Sequence, residues 1–141
     1  MVKENSNDLS FASSDVLAKE AVKLLLEKLA GDVSMFAVRE YTSITDYYVN
    51  CTGRSLSHVA SLADDLSEVF EGRGISPARI EGKKGNTWIL VDFGSLIVNI
   101  FDSEGRAFYN FDRLLPPDAR MPIDDLVREV DEKFTLNKKE N

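Results

Sequence analysis

Apolar residues recur at helical spacing early in the chain. Val16, Leu17, Ala21, Leu24, Leu25 and Leu29 share one face at 3.6 residues per turn. Ser13 and Ser14 precede this stripe with capping hydroxyls, and Asp15 and Glu20 place negative charge near its start. Gly31 offers the left-handed dihedrals that stop a helix. The period then shortens. Val33, Met35, Phe36 and Val38 predict a strand over 33–39, and Tyr47, Tyr48 and Val49 a second over 46–52, ended by Gly53. Ser55 or Ser57 caps a second helix carrying Val59, Leu62, Ala63, Leu66, Val69 and Phe70, closed by Gly72 and Gly74. A strand, a helix and another strand in this order suggest a crossover and a parallel pair.

The second half begins with strands over 78–81, 87–93 and 96–101, with a glycine-containing turn at 82–86. Gly94-Ser95 lies between the last two, and glycine at the first central position suits a two-residue type II′ hairpin. Residues 104–115 read as a short helix or turn with Phe108, Phe111 and Leu114 inward, broken by Pro116-Pro117. A last helix follows, with Ile123, Leu126, Val127, Val130 and Phe134 on one face and Asp124 and Asp125 at its start. The order α-β-β-α-β-β-β-α plus a C-terminal helix predicts a single α/β domain, a mixed sheet of about five strands flanked by helices.

Charge and composition narrow the functions this fold can serve. Seventeen Lys and Arg against 24 Asp and Glu give a net charge of −7, which disfavours general attraction to RNA or anionic lipid. One cysteine, Cys51, and one histidine, His58, leave no internal disulfide and no Cys/His zinc cluster, so no metal or cofactor is expected and a reducing, cytoplasmic setting is. No apolar stretch approaches the ~20 residues of a membrane span. Residues 1–12 read as a disordered tail, 13–115 as the domain, and 116–141 as a C-terminal helical extension with a loose end.

Few groups are candidates for catalysis. His58 sits at the start of the second helix beside Ser55 and Ser57, where capping is the plain reading; no G-x-S-x-G run marks a nucleophile. Cys51, within a strand, reads as a buried thiol. Gly53-Arg54-Ser55 before a helix could cradle a phosphate, yet neither a P-loop nor a G-x-G-x-x-G run is present. Asp64 and Asp65, adjacent on a helix, point about 100° apart and suit its wet face rather than a shared metal ion. Asp46 and Asp92 lie at strand ends and could approach each other. Trp88 carries the most information. Ile89, Val91 and Phe93 share one face of its strand; Trp88 and Leu90 share the other, with Asp92 beyond. If helices cover both faces, Trp88 is core. If one face is partly open, Trp88, Leu90 and Phe93 contribute to a partner-binding patch.

Three ordered segments add to this reading: 41–49 (YTSITDYYV), 52–64 (TGRSLSHVASLAD), and 88–101 (WILVDFGSLIVNIF) followed by 106–109 (RAFY). Over residues 14–115 they resemble the RsfS/Iojap family, the ribosomal silencing factors. The resemblance implies a nucleotidyltransferase-like α/β fold without catalytic carboxylates, hence not an enzyme. It implies binding to the large ribosomal subunit at its ribosomal protein number fourteen, steric blocking of small-subunit joining, and repression of translation. It also implies a homodimer off the ribosome. The family motif falls on Trp88, Leu90, Asp92, Phe93 and Gly94, taken as the partner-binding group, and on Ser43, Thr45, Asp46, Tyr47, Gly53, Ser55 and His58, structural or binding. Ser95 and Asn99 stand where the family commonly has an acidic residue and a histidine.

Overall fold

The structure, a computed structural model, describes residues 7–140, with side chains through residue 136. Helix α1 (Ser14–Glu27) leads into β1 (Gly31–Ala37) and β2 (Tyr47–Gly53); α2 (Leu56–Gly72) is followed by β3 (Arg79–Glu81), β4 (Trp88–Asp92) and β5 (Leu96–Asp102). Then come α3 (Ser103–Tyr109), two 3-10 turns (Phe111–Leu114 and Pro117–Ala119), β6 (Arg120–Met121) and α4 (Asp124–Glu140). The sheet has six strands in the order β3-β4-β5-β2-β1-β6. The sixth is the two-residue β6, pairing antiparallel with β1, too short to leave a sequence period.

The parallel pair is β2 with β5, not β2 with the strand that follows α2. That strand, β3, pairs only with β4. The crossover therefore spans α2 and two strands of an antiparallel meander, β3-β4-β5. Within it, Phe93 N–H donates to Leu96 O at 2.8 Å, and Gly94 holds φ +90° at the first central position of the hairpin. That is the sign type II′ requires.

The main core lies where α1 and α2 cover one sheet face. Leu17, Ala21, Leu25, Leu62, Leu66 and Phe70 meet Met35, Val49, Cys51, Ile89, Val91, Val98 and Ile100 there, all buried. Helix α4 packs beside α1 through Val130, with Ile123 and Leu126 against the same core. The opposite face is more thinly covered, by α3 and the 3-10 turns, where Ala119 of the second turn packs with Phe36 and Val38.

Three boundaries differ from the periodicity. Helix α1 stops at Leu29, not Gly31: Leu29 takes φ +65°, its N–H bonds to Leu26 O, and Ala30 N–H bonds to Leu25 O. These two bonds form a Schellman cap with leucine at the usual glycine position, and Gly31 instead opens β1 opposite Thr52. Second, residues 7–12 of the expected tail lie on the domain. Leu9 is buried, its N–H bonds to Arg73 O at 2.6 Å, and Arg73 Nε donates to Asn7 O at 2.7 Å; residues 1–6 of that tail are outside the described residues. Third, residues 116–136, expected as a helical extension, also supply the strand β6, and their helix packs on the domain; the expected loose end, 137–141, lies outside the described side chains.

Candidate functional site

On the thinly covered face, Trp88 stands half-buried at the start of β4, paired with Phe101. The rings of Phe101, Tyr109 and Phe111 surround it at centroid distances of 5.1, 4.7 and 5.8 Å. Leu90, two residues on, is also half-buried on this face. Phe108 extends the cluster outward, 5.0 Å from Tyr109 and 81% exposed. Of the three side chains expected inward from 104–115, Phe108 and Leu114 (75% exposed) point to solvent and only Phe111 turns in. Helix α3 is a single two-turn element ending at a left-handed Asn110, so the helical stripe does not continue into Phe111–Leu114.

Beneath the rings runs a polar row. Asn99 and Asn50 face each other across the β5–β2 pair, both fully buried. Trp88 Nε1–H donates to Asn99 Oδ1 at 2.9 Å, Asn99 Nδ2 to Asn50 Oδ1 at 3.0 Å, and Asn50 Nδ2 to Asp112 Oδ1 at 2.5 Å. Arg106 from α3 closes the row, bonding Asp112 Oδ2 at 2.6 Å, Thr52 Oγ1 at 3.1 Å and Ser34 Oγ at 3.4 Å. Among the described residues no buried side-chain polar atom lacks a partner.

The structure separates the sequence-derived partner group. Trp88 and Leu90 share the open face. Phe93 does not: it is buried on the opposite face, 4.9 Å from Phe70, as the two-residue alternation of β4 requires. Asp92 accepts from Gly94 N–H at 2.7 Å and pairs with Arg79 at 3.4 Å, so Asp92 and Gly94 shape the hairpin.

The second group divides similarly. Ser43 is exposed and Thr45 buried. Asp46 pairs with Arg39 at 3.0 Å, and that guanidinium holds its carboxyl below the ordinary value. Tyr47 is half-buried, its phenol pushed up by burial. Asp46 and Asp92 thus each hold a different arginine. Gly53 is required by packing, since a Cβ there would lie 2.7 Å from Val59 Cγ2 and 2.9 Å from Val59 N.

Ser55 caps α2 by accepting from His58 N–H at 3.1 Å. The His58 ring accepts from Arg54 N–H at Nδ1 (2.9 Å) and meets Lys28 O at Nε2 (3.0 Å). The two bonds assign the proton to Nε2, and the ring ties the start of α2 to the end of α1. The Arg54 amide of the Gly53-Arg54-Ser55 segment is therefore spent within the chain. Asp64 and Asp65 diverge to Lys83 and Lys28. Burial pushes the Cys51 thiol up to about 12, far from a nucleophile's range.

The aromatic half of the site was signalled by Trp88 and the RAFY segment. Asn50 and Asp112 were missed. Their signal was slight: an asparagine at mid-strand among apolar neighbours, on the face whose cover the sequence did not define.

Comparison with known proteins gives a consistent picture. The family model described as "Ribosomal silencing factor during starvation" matches residues 11–141, a span that takes in 116–141. The ribosomal silencing factor of Haemophilus influenzae is 37% identical over 97 residues, covering 66% of this chain and 95% of the relative. A mouse protein named for mitochondrial assembly of the ribosomal large subunit is 30% identical over 96 residues, 66% of this chain and 42% of its own. A crystal structure of a protein from Bacillus halodurans superposes with a TM-score of 0.67 at 28% identity, covering 78% of this chain and 99% of that one.

Proposed function

The chain belongs to the family of ribosomal silencing factors, and on that premise we propose that it binds the large ribosomal subunit through ribosomal protein number fourteen and blocks joining of the small subunit. Translation is thereby repressed when nutrients are scarce. The observation that carries the site is Trp88, half-buried on the thinly covered face of the sheet with Leu90 beside it and Phe108 exposed nearby. Exclusion by occupied space needs an anchored body rather than a reacting group, and a large aromatic in a partly formed pocket suits an anchor. The net charge of −7 favours docking on a basic protein over spreading on rRNA, since complementary charge mainly speeds encounter. No metal or cofactor enters this role. In the cytoplasm, off the ribosome, the chain self-associates in the same proposal.

The test is co-sedimentation of Trp88→Ala and Leu90→Glu with large subunits, alongside a subunit-joining assay and circular dichroism. Loss of an interface anchor costs about 2 kcal/mol or more, roughly thirtyfold in affinity. Folded variants that co-sediment and block joining like the parent would place the docking surface elsewhere.

A further inference from the structure

The polar row under Trp88 has a direction that its ends impose. An indole can only donate and a carboxylate only accept. With Trp88 Nε1–H on Asn99 Oδ1, the Asn99 amide must turn its Nδ2 to Asn50 Oδ1, and Asn50 must turn its Nδ2 to Asp112. Flipping Asn99 would set donor against donor at Trp88 and acceptor against acceptor in the middle; flipping Asn50 would set donor against donor in the middle and acceptor against acceptor at Asp112. Both amides are fully buried, so water cannot repair a mismatch. The strands lock the row as well: Asn99 opposes Asn50, and Asn50 opposes Ser34. Arg106 then fixes Asp112 from α3.

We propose that Asn99, Asn50 and Asp112 form a relay of positioning residues that sets the orientation of the Trp88 indole for docking, so that the 3-10 turn bearing Asp112 and the face of β4 are coupled through two buried amides. This rests on Trp88 being the docking anchor. Neither Asn50 nor Asp112 is hydrogen-bonded to Trp88. Asn50 reaches the indole through Asn99, and Asp112 reaches it through both amides. Histidine at 99 can replace asparagine in the relay, because a neutral imidazole offers one acceptor and one donor, the pair the amide supplies.

Trp88 is the only tryptophan, so its fluorescence and its single indole N–H resonance report on the relay without any ribosome. Asn50→Leu, Asn99→Leu and Asp112→Ala are compared with Asn99→His. The relay predicts a red-shifted emission, greater iodide quenching and a displaced indole N–H resonance in the first three, with retention of the parental signals in Asn99→His. The same three variants should bind large subunits about tenfold more weakly, the loss that follows one unmet hydrogen bond. Asp112 is partly exposed, so Asp112→Ala keeps the test alive if a buried asparagine variant does not fold. An Asp112→Ala protein with parental emission, resonance and affinity would overturn the relay. The docking premise fails differently: Trp88→Ala binding the subunit as tightly as the parent would refute the anchor while the spectroscopic shifts left the positioning of Trp88 intact.

Discussion

Leu29 pays a conformational cost that most chains assign to glycine. Its φ of +65° caps α1, while its side chain is 64% exposed and so recovers little by burial. The geometry persists because Arg54 Nη1 donates to Leu29 O at 3.3 Å and His58 reaches Lys28 O beside it. Leu29→Gly should therefore stabilise the protein by about 1 kcal/mol, read as a raised thermal midpoint. An unchanged or lowered midpoint would show that the strain is relieved by the leucine's own contacts. Gly31 drew the sequence reading two residues too far because local propensity names the easiest residue for a cap, whereas tertiary bonds from another helix chose the site. At Gly94 local propensity and the fold agree, so the hairpin was legible from the pair Gly94-Ser95 alone. The cap of α2 was legible to within two serines, Ser55 or Ser57; the bridge from His58 to Lys28, 30 residues away, was not.

Elements with one buried face announced both their extent and their orientation, whereas strands covered on two faces announced their extent but not their neighbours. Helices α1 and α2 each turn a continuous apolar stripe to the sheet, so their periods suffice. Strand β5 is apolar except for Asn99 and the terminal Asp102, and it is buried on both faces through Phe101. Its pattern cannot say which strand lies beside it, and the parallel partner β2 emerged only from the fold. The second sheet face is covered by a short helix and 3-10 turns, elements too brief to carry a period, which is why Phe108 and Leu114 were placed on the wrong side. Helix α4, in the C-terminal extension, packs on the domain, and Val130 is 4% exposed there. Val130→Asp should then lower stability by about 3 kcal/mol in urea unfolding, since it buries a carboxylate without a partner. A cost within about 0.5 kcal/mol, the range of surface substitutions, would mean that α4 is not part of the cooperative unit.

At the scale of the whole molecule, one ionic knot joins parts far apart in sequence. Glu20 on α1 bonds Arg73 at the end of α2 (2.8 Å) and Lys23 (2.5 Å); Lys23 reaches Glu129 on α4 (3.3 Å), and Arg73 holds Asn7 of the N-terminal stretch. Burial alone would raise the Glu20 pKa, but the hydrogen bonds and charges of Lys23 and Arg73 outweigh it and hold the carboxyl below its ordinary value of 4.5. The sign follows from linkage. A carboxylate whose pKa is depressed by folding contributes stability above its unfolded-state pKa, and that contribution is lost as pH falls through the lower folded-state value. The group is partly solvated, so its share is about 1 kcal/mol or less. Glu20→Gln should thus melt below the parent at pH 7, and the gap should close as pH is lowered through and below 4.5. Should the gap instead stay constant from pH 7 to pH 3, the glutamate would be acting through packing rather than charge, and the knot would not be what clamps α4 and the N-terminal stretch onto the helical layer. That layer lies on the far side of the sheet from Trp88, so parental large-subunit binding by Glu20→Gln at pH 7 would locate docking and clamping on opposite faces of one domain.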